Sequence, residues 1–523
     1  MRVLWRWSSF CLGSVMLCWS CEAGRSAPLP SSARSTESVP AVAAASKQTA
    51  EEGTPFAEQV LHSFFPYQEG PPRLTGITPG AALSRGNWQI AQEALPLEIL
   101  DAVRDGELTL LVQDTSDLPV SPEYITATFE HAQGVSLDET GNLTQYRAGL
   151  PFPLLDAADP RAGLKAAWNA RYADRGDSVQ RWESLQVRNE AGRYEYGFSF
   201  FYAQAYGMHR TRPEHDISDW EAEGILYKEF MQVLHPVPAI TIHPQLGLVH
   251  LRYWYDQDTR QVAQWYITGY LSIHRLLTLV YNPEASAWRF PLLYEDLVGT
   301  YVHAYRWRLV DTRVALVPGF VQGAEPLFGG RRAGYPLDPW ELRTVHVVEA
   351  VPQHAEHPYG RKVFFFDQQT FAPLYVLSYD RQGKPWRTEF FSYAHPAFYP
   401  GGKDIRVPIL IGRSWVDFTA DHATLALVTE ATYNKPLPPD KGCMIGGEID
   451  PGTTDQDRYS NIFATRVKGR MGVAKELCAP GLALTIIAQH VERSKGLLVK
   501  EKHLPSVRMR GTLRYSFDDV YRA

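Results

Sequence analysis

Between Arg361 and Tyr393 one local pattern repeats. Lys362–Phe366, Pro373–Tyr379 and Trp386–Tyr393 are rich in aromatic and β-branched residues and read as three strands. Asp367-Gln368-Gln369-Thr370 separates the first pair, and Asp380-Arg381-Gln382-Gly383-Lys384 the second. Each connection opens with Asp, whose carboxylate can accept backbone N–H groups, and Gly383 supplies a positive φ. Connections this short join antiparallel neighbours, because parallel pairs need crossovers of about a dozen residues or more. A chain containing this stretch is committed to an antiparallel meander.

The same architecture extends on both sides. Tyr194, Tyr196, Phe198, Phe200 and Tyr202 stand at strict period two, so one face of that strand is aromatic. Glu107–Gln113, Tyr124–Glu130, Leu248–Tyr255, Val262–His274, Tyr301–Val317, Leu342–Val351 and Thr424–Tyr433 also read as strands. Val135–Arg147 reads as a hairpin turning at Gly141-Asn142. Three short helices interrupt them. One carries Phe56, Val60, Leu61 and Phe64 at helical spacing. One follows Pro96 and stops at Gly106. The third starts at Asp159-Pro160, presents Leu164, Ala167, Trp168 and Tyr172, and ends at Gly176. No repeat of 20–50 residues is evident, which counts against a propeller.

The composition suits such a core. The 523 residues are 45% hydrophobic and 12% aromatic, with a net charge of −6. Without a basic surplus the chain has no electrostatic footprint for nucleic acid. Residues 1–23 read as a signal peptide: Arg2 and Arg6 precede the mainly apolar Ser8–Trp19, with cleavage expected after Ala23. A rival reading makes Cys21 a lipidation site, which would anchor the mature protein to the outer membrane. Residues 24–54, rich in Ser, Ala and Pro, have the composition of a disordered linker. Residues 55–440 form the β domain and 441–523 a C-terminal extension packed on it. In an oxidising compartment Cys443 and Cys478, the two cysteines beyond the leader, are expected to form a disulfide; two buried thiols are the alternative.

Catalytic patterns are scarce. There is no G-x-S-x-G elbow, H-E-x-x-H helix, Walker loop or G-x-G-x-x-G turn. His209, Glu214, His215, Asp216 and Asp219 carry metal-capable groups, but Arg210, Arg212 and Pro213 interrupt them, and no metal or cofactor is expected. Nothing in the sequence brings Glu295 and Asp296, or Glu341 and Glu349, together as acid and base. The binding surface therefore rests on Tyr194, Tyr196, Phe198, Phe200 and Tyr202, with Trp254 and Trp265 as candidates to extend the wall. Ordinary core packing is the competing reading of that row.

Val345–Ala350, His357–Val363, Phe366-Asp367 and Tyr379–Trp386 together resemble the domain-of-unknown-function family numbered 1329. Leu74–Gly80, Pro151-Phe152-Pro153 and Trp168–Arg171 agree with it, so the resemblance spans roughly residues 73–435. It implies the fold of the periplasmic lipoprotein carriers: a mainly β, large curved antiparallel sheet, half-open like a barrel, with a few short helices on its concave side. It implies an exported, periplasmic carrier or binding protein for a lipid or other hydrophobic molecule. Partners of the resistance-nodulation-division transporter class and outer-membrane barrel proteins are implied with it. No chemistry comes with the family, so an enzyme is not expected. An envelope hydrolase with an unrecognised site is the alternative, and an outer-membrane barrel a third reading, against which proline interruptions and uneven strands count. The concave face is expected to be apolar, with the helices around Phe56–Phe64 and Leu164–Tyr172 as lids.

Overall fold

The computed structural model describes residues 55–212, 218–235, 249–260, 262–267, 273–276, 292, 295–296, 299 and 301–435. The leader with Cys21, the 24–54 linker, and Cys443 and Cys478 lie outside the described residues.

Two meanders lie side by side. The first comprises β1 (Ser178–Arg188), β2 (Tyr194–Tyr206), β3 (Ile225–His235), β4 (Val249–Tyr255), β5 (Ala263–Ile267) and β6 (Ile273–Leu276). The second comprises β7 (Tyr305–Pro318), β8 (Trp340–Pro352), β9 (Tyr359–Asp367), β10 (Pro373–Asp380), β11 (Pro385–Ala394), β12 (Ile409–Asp417) and β13 (His422–Tyr433). β13 pairs antiparallel with β1, for example Leu425 with Gln186, and fuses them into one sheet of order β6-β5-β4-β3-β2-β1-β13-β12-β11-β10-β9-β8-β7. The two-residue strand Phe320–Val321 adds a parallel pairing to β11. Among the described residues β6 and β7 have no second partner, so the sheet is not closed.

The turns fold as their residues dictate. Asp380 Oδ1 accepts the backbone N–H groups of Gln382 and Lys384, and Gly383 sits at φ 80°. Asp367 Oδ2 accepts that of Thr370.

The helices packed against the sheet include α1 (Pro55–Phe64), α2 (Leu97–Asp105), α3 (Pro122–His131) and α4 (Ala162–Tyr172). α3 corrects the strand expected over Tyr124–Glu130. Ser121 caps it, its hydroxyl accepting the Tyr124 N–H, and Pro122 at the first helical position suits a helix start. α4 ends at Tyr172, four residues before Gly176.

Period two divides the sheet. Val345, Val347, Val363 and Phe365 pack with Ile99, Leu100 and Val103 of α2. Their alternates Val348, Phe364 and Phe366 pack with Val60, Phe64, Tyr124, Ile125, Ala166 and Ala170 of the other three helices. α4 rests on β7 and β8, yet its Trp168 and Tyr172 share a cluster with Leu226, Tyr227 and Trp254 of β3 and β4. One eleven-residue helix reaches strands so far apart in the sheet order only if the sheet curves around it. Fully buried Trp168, whose side chain contributes about 1.5–3 kcal/mol by leaving water, also donates Nε1–H to the Gly141 carbonyl at 2.8 Å. It thereby holds the hairpin turn at Gly141-Asn142 against the helix.

Candidate functional site

The register places one continuous row across the concave face. Phe198, Phe200 and Tyr202 of β2 lie opposite Leu185, Glu183 and Arg181 of β1. Tyr202, Gln204 and Tyr206 lie opposite Met231, Glu229 and Tyr227 of β3, and Glu229 and Tyr227 opposite Arg252 and Trp254 of β4. Phe198, Phe200 and Tyr202 are buried in one cluster, with Tyr196 packed against it. Tyr194 leaves the row at a register shift beside Arg188 and is 55% exposed. Trp254 stacks on Tyr227 in the adjoining cluster, ring centroids 5.6 Å apart. Trp265 pairs with Leu251, and its side chain lies outside the described residues.

Neither expected lid shares the cluster of Phe198, Phe200 and Tyr202. The β11–β12 connection supplies cover instead, through Tyr399, Ile405 and Val407. The Tyr399 hydroxyl accepts the Ala431 N–H of β13 at 2.8 Å, which pins the connection to the sheet.

The concave face is not wholly apolar, contrary to expectation. Arg181 Nε donates to Glu183 at 2.7 Å and its guanidinium covers the Tyr202 ring at 4.5 Å. Glu229 accepts from Tyr202, Arg252 and Trp254. In the second meander Lys362, Arg387 and Glu389 share the face of Phe364 by register. Lys362 meets Asp296 at 2.8 Å and Glu295 at 3.3 Å. Arg387 meets Asp417 at 2.8 Å, and His357 and Tyr305 reach Glu295 at 3.0 and 2.9 Å. Burial pushes the Glu295 and Asp296 carboxyls up, but Lys362 together with His357 at Glu295, and with Arg387 and Tyr359 at Asp296, outweighs it and both stay low. At Glu389 burial prevails, because Arg413 and Lys362 offset it only in part, and the carboxyl is lifted to about 8. Ion pairs make these burials tolerable, since an unpaired buried charge costs several kcal/mol. This convergence of Glu295 and Asp296 was invisible in sequence, because Lys362 stands 66 residues from Asp296. Glu341 and Glu349 stay apart, held by Arg343 and by Arg308 with Arg361.

Among the described residues no three His, Cys, Asp or Glu side chains form a metal-holding group. His209 contacts Asp256 at 3.0 Å, while Glu214, His215, Asp216 and the side chain of Asp219 lie outside the described residues. No described helix is long and apolar enough to cross a membrane.

A small cavity of about 40 Å3 opens where α4 meets β1, lined by Arg171, Arg175, Tyr206, His209 and Arg210 among others. Tyr124, Met208 and Leu226 line it as well, so its wall mixes charged and apolar groups.

Residues 83–441 match the family described as Protein of unknown function (DUF1329). The chain belongs to the DUF1329 family. It is 24% identical over 315 residues to Uncharacterized protein PA3922 of Pseudomonas aeruginosa, covering 55% of this chain and 65% of that one. The chain thus spans just under two thirds of that curated relative's length. A DUF1329 protein of Desulfovibrio piger has a solved structure similar at 14% identity and TM-score 0.37, covering 55% of this chain and 98% of the other. A putative outer membrane lipoprotein-sorting protein domain from Vibrio parahaemolyticus is similar at 16% identity and TM-score 0.36, covering 54% and 97%.

Proposed function

We propose that this DUF1329 protein is an exported, periplasmic carrier or binding protein for a lipid or another hydrophobic molecule. It would work with envelope transport proteins, of which an inner-membrane resistance-nodulation-division transporter and an outer-membrane barrel are the proposed partners. Residues 1–23 would direct export, 24–54 link, 55–440 carry, and 441–523 add a disulfide-closed extension. The supporting observation is the Phe198–Phe200–Tyr202 row on the concave side of an unclosed sheet, covered by a connection rather than a helix. Displacing Tyr399, Ile405 and Val407 would open the row to an alkyl chain, whose burial is favoured by roughly 25 cal/mol per Å2 of apolar area. Loading and release then follow from whichever partner competes for the cargo or the cover.

A hydrolase is the second reading, favoured by the 3.0 Å His357–Glu295 contact beside Tyr305. In that cluster the carboxylates are engaged by Lys362 and Arg387, as an ion-pair network rather than an acid–base pair requires. Mass spectrometry of organic extracts of the purified native protein separates the two. A co-purifying alkyl-chain molecule supports the carrier. Its absence, with turnover of an ester lost in His357→Ala, supports the hydrolase.

A further inference from the structure

Arg175 lies in the loop between α4 and β1, and that loop is fixed. Asp174 Oδ1 accepts the Gly176 N–H at 2.9 Å, and Asn434 Oδ1 accepts the Asp177 N–H at 2.8 Å. Gly176 sits at φ 76°, and a Cβ there would stand 2.7 Å from Asn434 Oδ1. The backbone under Arg175 is thus preorganised.

The arginines around it are all paired: Arg171 with Asp258, Arg210 with Asp177 at 3.1 Å, Arg212 with Glu123 at 3.1 Å and Arg181 with Glu183 at 2.7 Å. Arg175 has no carboxylate within 4 Å among the described residues. Its Nη2 donates to the Ala170 carbonyl at 2.8 Å. The side chain is exposed, yet Tyr206 of β2, Tyr227 of β3 and Tyr393 of β11 all lie in its electrostatic reach. Those strands stand on both sides of the β13–β1 junction. Arg175 lines the small cavity together with Tyr206, Arg171 and Arg210.

The β2 row connects this cation to the aromatic stretch. Reading along one face, Phe198 and Phe200 are apolar, Tyr202 and Gln204 polar, and Tyr206 ends the strand beside Arg175. From Phe200 to Tyr206 the strand covers roughly 20 Å at about 3.3 Å per residue, so a long alkyl chain with its head at Arg175 passes Gln204 and Tyr202 and brings its end to Phe200 and Phe198. The charges beside this row, Arg181 with Glu183 and Arg252 with Glu229, satisfy one another, so an anionic head approaching it finds its unpaired cation at Arg175.

We propose that the cargo is an anionic amphiphile, its acyl chain along Phe198 and Phe200 and its carboxylate or phosphate head paired with Arg175. This rests on the carrier reading and names the cargo class. A planar guanidinium without a carboxylate partner suits either head, each able to accept a paired hydrogen bond.

The test titrates full-length protein with a fluorescent fatty acid, its methyl ester, and fluorescent phosphatidylglycerol and phosphatidylcholine, using wild type and Arg175→Gln. We expect wild type to prefer one anionic probe over its neutral-head counterpart by about tenfold or more, the scale of a charge-assisted hydrogen bond. The fatty acid being preferred marks a carboxylate head, and phosphatidylglycerol a phosphate head. In Arg175→Gln the preference should vanish while neutral-head probes bind as before, which also reports an intact fold. Equal binding of charged and neutral probes by wild type, or a preference that survives in Arg175→Gln, overturns the inference and leaves the carrier reading standing. Failure of all four probes to bind wild type overturns the carrier reading and the inference with it.

Discussion

Tyr202 and Glu229, 27 residues apart in the chain, meet on the concave face through a 2.6 Å hydrogen bond from the tyrosine hydroxyl to Oε1. The other carboxylate oxygen accepts from Arg252 at 2.8 Å and Trp254 at 2.7 Å. One glutamate thereby ties the aromatic row of β2 to the Trp254 cluster of β4.

Glu229→Ala would leave Arg252 buried beside a void. The expected loss is about 3–5 kcal/mol, the cost of breaking a buried ion pair. Tyr202→Phe removes one bond to a charged acceptor and should cost about 1.5–3 kcal/mol. Urea unfolding followed by tryptophan fluorescence measures both, and equal losses would show that Glu229 does not join the two clusters.

Glu389 sets a pH dependence. Burial raises its carboxyl from the ordinary 4.5 to about 8, so the folded chain holds a proton that the unfolded chain releases. Its contribution is full below pH 4.5 and is lost as pH climbs through 8. Glu389→Gln should therefore unfold at a higher temperature than wild type at pH 8.5 and at nearly the same temperature at pH 4.5. Thermal scans at the two pH values check this, and an identical shift at both would count against it.

α4 approaches β7 closely because Gly163 has no side chain. A Cβ at that position would fall on the Arg308 backbone. Gly163→Ala must push the helix off the strand, and overpacking of this kind costs about 1–3 kcal/mol. The midpoint of urea unfolding should fall accordingly, whereas an unchanged midpoint would mean that the helix does not brace the sheet.

Much of the fold was legible because its signals are local. Asp380 and Gly383 form the turn that their side chains demand, and the three strands around them fall within three residues of their expected ends. The helix over Tyr124–Glu130 was missed because its aromatic and β-branched residues also suit a strand; Ser121-Pro122 was the available signal. The charged concave floor was not legible. Glu229, Lys362 and Arg387 meet their partners only when the sheet brings strands together, which no local pattern records. Tyr194 fits the period-two pattern but lies past a register shift, which the pattern cannot reveal.

Binding of a fluorescent fatty-acid probe by wild type and Phe198→Asp, read beside circular dichroism, tests the concave row most directly. The account predicts saturable binding by wild type and a folded Phe198→Asp variant that no longer binds, because the charge sits where the chain would lie. A folded variant that binds normally would contradict it, as would one that simply unfolds, since Phe198 would then be plain core.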